Sequence, residues 1–262
     1  MIKPYYDEDG ITIYNADCRE VLGQLEPVDL VLTSPPYNLG NTTGGGFPKV
    51  GHYDPQAGMI KRGGQGKWRN AAIANGYGAC SDSMPMPEYI AWQKQVLTLL
   101  WGKLTTTGAI YYNHKPRVLD GLVLLPLAYS PDLPLRQVVI WARAGGINFS
   151  PSFYCPTHEW LCIFAKEGFR LRDKGASGAG DVWYIPQEMK NPHPAPFPLA
   201  LAKQAISTTK AKTILDPFMG SGTTLRAAKD LGLKAIGIEI EKKYCDIAIQ
   251  RLRQQVLFGE VA

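Results

Sequence analysis

Apolar positions along the chain fall into short continuous runs that alternate with stripes at helical spacing. Ile11-Thr-Ile-Tyr reads as a β-branched and aromatic strand, and Asn15-Ala-Asp17-Cys18 leads from it into a helix-like stretch over 18–25. Val28-Asp-Leu-Val-Leu-Thr is almost uninterruptedly apolar, the pattern of a parallel strand covered on both faces, and it stops abruptly at Ser34-Pro35-Pro36-Tyr37-Asn38. Helical spacing returns over 89–104, and a strand follows over 108–112. Two more strands, 138–141 and 159–164, flank a loop rich in Gly and Pro. The last third alternates cleanly: helix 199–207, strand 213–215, helix 223–231, strand 235–238, helix 244–257. This order predicts an α/β fold, a mostly parallel twisted sheet with helices on both faces.

Composition narrows the class. The chain has 262 residues, 45% of them apolar and 19% charged, with a formal charge of +5. These values fit one packed domain over 1–262 and exclude disordered, fibrous and disulfide-stapled classes. The apolar run near Leu122 is broken at Pro126, well short of the ~20 residues a spanning helix needs. No apolar secretory segment follows Met1, so the expected address is the cytoplasm. Five scattered cysteines lack any C-x-x-C pair and read as reduced, mostly buried thiols. His158-Glu159 fails as a zinc motif because Cys162 stands where the second His belongs, so no metal is expected.

Residues 41–80 differ from the rest. They hold ten of the 27 glycines and little apolar periodicity, with Lys49, Lys61, Arg62, Lys67 and Arg69 against Asp54 alone. A long stretch of this kind inside a domain is either solvated chain or a functional insert. Tyr53, Trp68 and Tyr77 interleave its cations, the mix that suits a nucleic-acid backbone and bases.

Two loops carry candidate chemistry. In Leu215-Asp216-Pro-Phe218-Met-Gly220-Ser221-Gly222-Thr223-Thr224 an apolar strand enters a glycine turn that opens a helix, with Thr223 or Thr224 as its cap. The next strand ends at Glu239, 17 positions after Gly222, about where an acid that grips a ribose diol is expected. The missing third glycine leans away from a pyrophosphate. On the residues alone, both a nicotinamide dinucleotide and S-adenosylmethionine remain open. The second loop, Ser34-Pro35-Pro36-Tyr37, sits at the carboxyl end of a buried strand, where open α/β sheets place their ligands. Two prolines stiffen it and remove N–H donors, leaving Ser34 Oγ and the Pro35 carbonyl to accept from a planar amino group while Tyr37 stacks on its ring.

Taken in order, these motifs closely resemble the β-class amino-methylating DNA methyltransferases, whose [S/D]-P-P-[Y/F] motif precedes the cofactor glycine loop. The resemblance spans nearly the whole chain. It implies a Rossmann-like S-adenosylmethionine-dependent fold in permuted motif order, with Ser34, Pro35, Pro36 and Tyr37 catalytic. Asp17 and Cys18 resemble the motif that contacts the cofactor adenine. His193 and Phe197, in His193-Pro-Ala-Pro-Phe197-Pro198, resemble the segment lining its methionine end. Asp216, Phe218, Gly220, Ser221, Gly222, Thr223, Thr224 and Glu239 complete the cofactor set. Trp141 to Lys166, with Thr157-His158-Glu159, resembles the strand pair behind the target-base pocket.

The family's target-recognition region usually follows the His-Glu strand, but here only about 25 residues separate Lys166 from Met189. Residues 41–80 are therefore the expected DNA-contacting insert, with Lys61, Arg62, Lys67, Trp68 and Arg69 on DNA. The resemblance further implies a double-stranded DNA substrate, base flipping and, in some systems, a cognate restriction endonuclease. Ser rather than Asp at position 34 goes mostly with N4 of cytosine, whereas the Tyr37-Asn38 ending also accompanies the adenine-N6 version. Two other classes stay open: a non-catalytic DNA-binding module with a degenerate cofactor fold, and an NAD-dependent oxidoreductase, which would use the glycine loop but leave the proline motif idle.

Overall fold

The computed structural model describes residues 1–38, 52–54, 59–61, 84–119, 121–143, 151–188 and 197–254, with side chains outside 52–61. Among the described residues there are thirteen strands, nine of them in the main sheet. In chain order the strands are β1 (Tyr6–Glu8), β2 (Ile11–Asn15), β3 (Val28–Thr33), β4 (His52–Asp54), β5 (Met59–Lys61), β6 (Leu104–His114), β7 (Arg117–Leu119), β8 (Leu122–Leu124), β9 (Leu135–Ala142), β10 (His158–Ala165), β11 (Val182–Tyr184), β12 (Thr213–Asp216) and β13 (Lys234–Glu239). The sheet runs β1-β2-β13-β12-β3-β6-β10-β9-β11. From β2 to β6 all pairs are parallel; β10 runs antiparallel to both β6 and β9, and β1 is antiparallel to β2. β4 with β5, and β7 with β8, form separate antiparallel hairpins.

Alternate residues of the strands feed two cores. Leu30 and Leu32 of β3 face one side with Ile13, Tyr111 and Leu161, while Val31 faces the other with Ile110, Tyr112 and Leu215. The first core is closed by α4 (Leu199–Ser207), α5 (Thr223–Asp230) and α6 (Lys242–Arg253), through Leu201, Ala205, Leu225, Ala228, Ala248 and Leu252. The second is closed by α1 (Cys18–Val21) and α2 (Met86–Gly102), through Cys18, Val21, Val96, Leu97 and Leu100. A sheet with apolar residues on both faces needs such cover on both sides. No helix among the described residues is long and apolar enough to cross a membrane.

Several sequence expectations change. The helix expected over 18–25 is only α1, followed by a 3-10 turn over Leu22–Gln24. The helix expected from 89 begins earlier, at Met86, with Pro87 in its first turn, where a missing N–H costs nothing. Neither Thr223 nor Thr224 caps α5: the N-cap is Gly222 at φ +79°, and Thr224 turns inward instead. A Cβ at Gly222 would lie 2.8 Å from that of Ala248, so α6 requires glycine there. α6 runs from Lys242, two residues before the expected start, and stops at Arg253 because Gln254 is extended, short of the expected 257; residues 255–257 lie outside the described residues.

The strand order reverses between β12 and β3. From β12 the chain proceeds through α5 to β13 on one side, and from β3 through α2 to β6 on the other. The crevice beyond the carboxyl ends of these two strands is the topological switch point, where open α/β sheets bind their ligands.

Candidate active site

Both loops singled out in the sequence leave the sheet at this switch point. Asp216 ends β12 and Thr33 ends β3, and the Thr33 hydroxyl donates to Asp216 Oδ1 at 2.9 Å. The Phe218 N–H also donates to Oδ1, at 3.1 Å, and the Thr224 hydroxyl donates to Oδ2 at 2.6 Å. Burial pushes the Asp216 carboxyl up to about 6, against the pull of those three donors. Asp216 and Thr224 thus act on the fold: they lock the glycine loop and the proline loop to one anchor. Arg251 of α6 holds the same loop from behind, its guanidinium donating to the Ser221 carbonyl at 2.8 Å, Ser221 Oγ at 2.9 Å and Thr223 Oγ1 at 3.3 Å.

Glu239, at the end of β13, faces this loop. Its Oε2 accepts the Gly220 N–H at 3.0 Å and its Oε1 the Glu241 N–H at 2.8 Å, while burial raises the carboxyl to about 7. Each carboxylate oxygen carries two lone-pair sites, so one per oxygen is left over, which matches a vicinal diol. Gly237 permits the packing beneath: a Cβ there would collide with Met219 Sδ and stand 2.7 Å from Leu225 Cδ2. The end of β2 lies alongside, with Asn15 Nδ2 donating to the Glu239 and Ile240 carbonyls at 2.9 and 3.0 Å.

The remaining expected cofactor residues are placed unevenly. Asp17 is the N-cap of α1, and its carboxylate is taken up by Arg19, with the backbone N–H at 2.9 Å and Nη2 at 2.6 Å, which lowers its pKa. Cys18 is buried in the core and its thiol is pushed to about 12, leaving only backbone to offer. Phe218 projects its ring 5.4 Å from that of Trp92 on α2. Phe197 packs into the core just before α4, and His193 lies outside the described residues.

The proline loop is held by its carbonyls. Tyr89 Oη donates to Pro36 O at 2.7 Å, and Arg117 donates to Tyr37 O at 2.8 Å and Asn38 O at 3.1 Å. Among the described residues none binds the Pro35 carbonyl. Asn38 takes the left-handed conformation, φ +54°, and pairs its amide with the Met84 backbone in both directions, at 2.8 and 2.7 Å. Behind the loop the Tyr37 ring sits 4.5 Å from His114, whose imidazole burial holds down to about 3 and therefore neutral.

Ser34 opens a polar chain that continues into the sheet. Its Oγ lies 2.8 Å from Tyr37 Oη, which donates to Glu159 Oε2 at 2.9 Å. Asn113 Nδ2 reaches Ser34 Oγ at 3.4 Å, Tyr37 Oη at 2.8 Å and Glu159 Oε2 at 2.8 Å, and Arg143 pairs with Glu159 Oε1 at 3.2 Å. Glu159 is 6% exposed and Asn113 1%. Asn113, Arg143, His114, Tyr89 and Arg117 are the residues around the proline loop that motif reading missed. The one available signal was Asn113-His114, two polar residues closing an apolar strand, the same strand-end cue that marks Asp17 and Glu239.

Of the expected DNA contacts, only the backbone of Lys61 is described, in β5; Arg62, Lys67, Trp68 and Arg69 lie outside the described residues.

A parallel switch-point crevice with an acid at one strand end and an acceptor-rich proline loop at another is the arrangement of a nucleoside-cofactor-binding α/β fold. The sequence matches the N6/N4 DNA methylase family over residues 28–250, and the chain belongs to that family. S-adenosylmethionine is the cofactor of the family. The chain is 27% identical to the Type II methyltransferase M.BglII of Bacillus subtilis, covering 92% of this chain and 68% of that one. It is 26% identical to M.ScaI of Streptomyces caespitosus, with coverages of 97% and 84%. Among solved structures it resembles the cytosine-N4-specific PvuII DNA methyltransferase (TM-score 0.69, 17% identity, 98% of this chain and 91% of that one). The Thermus thermophilus protein TTHA0409 complexed with S-adenosyl-L-methionine gives a TM-score of 0.63 at 20% identity, with coverages of 94% and 95%.

Proposed function

We propose that this chain is a site-specific methyltransferase acting on the N4 amino group of a cytosine flipped out of duplex DNA. The observation that carries the reading is the acceptor pair at the switch point: Ser34 Oγ, held by Tyr37 and Asn113, beside a Pro35 carbonyl that no described residue occupies. An exocyclic amine has two N–H bonds to give, and these two oxygens accept both. Accepting them draws the nitrogen toward a pyramidal geometry and frees its lone pair from the ring, so the rate gain is positional and electrostatic.

S-adenosylmethionine supplies an electrophilic methyl group. The leftover lone pairs of Glu239 would hold its ribose diol, with the end of β2 bordering its adenine; Phe197, packed into the core, would reach its methionine end only by backbone. Flipping the base costs a few kcal/mol of unstacking, about what a duplex pair demands, and the Tyr37 ring recovers part of it by stacking. No cysteine is needed as a nucleophile: burial pushes Cys18, Cys162 and Cys245 to about 12.

Cytosine is favoured over adenine by Ser34 itself, a neutral hydroxyl in place of Asp. The Tyr-Asn ending weighs less for adenine because Asn38 spends its amide on Met84, away from the crevice. Residues 41–80 supply DNA contact through Lys61, Arg62, Lys67, Trp68 and Arg69, within a single methyltransferase domain over 1–262. A restriction endonuclease of the same specificity is the natural partner, in the cytoplasm. Nucleoside mass spectrometry of treated DNA tests the base: N4-methylcytosine is expected, and N6-methyladenine as the sole product would overturn the choice.

A further inference from the structure

We propose that Glu159 is the terminal proton acceptor of the reaction, reached from Ser34 through the Tyr37 hydroxyl; this rests on the amino-methyltransferase reading above.

Methylating an amine leaves one proton to be disposed of, and a serine hydroxyl cannot retain it. The hydrogen-bond polarity behind Ser34 shows where it goes. Glu159 is paired with Arg143 at 3.2 Å, and as a carboxylate it only accepts, so the Tyr37 hydroxyl must point its hydrogen at Oε2, 2.9 Å away. Tyr37 Oη is then left as an acceptor toward Ser34, so the Ser34 hydrogen points at Tyr37, 2.8 Å away. Ser34 Oγ thereby turns a lone pair toward the crevice. Asn113 reinforces this order, because its Nδ2, with two hydrogens to share among three oxygens within reach, can accept from none of them. The chain is polarised to draw a proton inward from the amine.

The step balances. The amine lone pair forms the N–C bond as the S–C bond breaks and its electron pair stays on sulfur, giving a neutral thioether. The N–H proton passes to Ser34 Oγ as the Ser34 proton moves to Tyr37 Oη and the Tyr37 proton to Glu159 Oε2. Ser34 and Tyr37 end as neutral hydroxyls, and Glu159 ends as the neutral acid, which returns its proton to water after product leaves. Asn113 and Arg143 are positioning residues. The assignment gives the Tyr37 hydroxyl a role that a phenylalanine ring, equally able to stack, cannot fill.

Two variants test it. Tyr37→Phe keeps the ring and interrupts the chain; Glu159→Gln keeps the shape and removes the acceptor. Single-turnover methylation of unmodified phage duplex DNA with methyl-labelled S-adenosylmethionine is followed from pH 6 to pH 9. In the parent, with the acceptor built into the chain, the rate is expected not to climb with hydroxide concentration over this range. In both variants the rate is expected to fall at least about 100-fold. It should also climb with hydroxide concentration without a plateau, while cofactor affinity stays within about twofold. Parent-like profiles with rates within threefold in both variants would overturn the relay and leave the methyltransferase reading standing. An unlabelled product from the parent itself would overturn that reading, and the relay with it. Should Glu159→Gln misfold through its stranded Arg143, the uncharged Tyr37→Phe decides alone.

Discussion

Removing the Glu239 carboxyl isolates the cofactor half of the site. In Glu239→Ala a bound ribose diol loses both of its acceptors, and the Gly220 and Glu241 N–H groups lose theirs. Hydrogen bonds to a charged group contribute roughly 1.5–3 kcal/mol each, so two lost ligand bonds weaken cofactor binding by about two orders of magnitude or more. The loop's own loss appears separately, as a lower melting temperature. The raised carboxyl adds a second signature. With its pKa at about 7, Glu239 is mostly protonated at pH 6 and mostly ionised at pH 8. Diol hydroxyls donate, so they favour the ionised form. By linkage, parent affinity should therefore rise about tenfold from pH 6 to pH 8 and then level off. Calorimetric titration with S-adenosylmethionine across this range measures both effects. The ligand's own ionisations enter parent and variant alike, so the difference between them belongs to Glu239. Equal affinities in parent and variant, or a pH slope that survives in Glu239→Ala, would refute the reasoning.

Asp216 gives a stability prediction of definite sign. Its folded pKa of about 6 exceeds the usual 3.8, so the native state binds that proton more tightly than the unfolded chain, and stability falls as pH rises from about 4 to 6. The cost at pH 7 approaches about 3 kcal/mol. Asp216→Asn keeps an acceptor for Thr33 and Phe218 and lets the Thr224 hydroxyl turn to the Leu32 carbonyl 3.5 Å away, so it should raise the melting temperature at pH 7.5 but hardly at pH 4; equal shifts at both would contradict this. Replacing Lys61, Arg62, Lys67 and Arg69 together with Ala should flatten the salt dependence of DNA binding by up to about 0.9 per residue in log–log slope, with cofactor affinity unchanged. An unaltered slope would return residues 41–80 to solvated chain.

How much of this was legible in the sequence depended on how local each signal is. β3, β12, α5 and β13 carry continuous runs or full helical stripes that end in chemically distinctive residues, so their order, and with it Ser34, Asp216 and Glu239, could be read directly. β1, β7, β8 and β11 are three residues each, too short for any periodicity to register; β11 exists because it pairs with β9. Thr224 looked like a cap because Thr is a good one, but the buried Asp216 carboxylate is the stronger acceptor and drew it inward. The environment of Ser34 was the least legible part. Asn113 and Glu159 stand 46 positions apart and meet only because β10 runs antiparallel beside β6. No pattern within either strand reports that pairing.

The central claim is that Ser34 presents an amine for methylation at this crevice. Unmodified duplex phage DNA incubated with methyl-labelled S-adenosylmethionine, digested to nucleosides and separated, tests it most directly when parent and Ser34→Ala are run side by side. Label is expected on an exocyclic nitrogen of one base in the parent, and none in a Ser34→Ala protein that still binds cofactor by calorimetry. Label on cytosine C5, no label from the parent, or undiminished label from Ser34→Ala would contradict it.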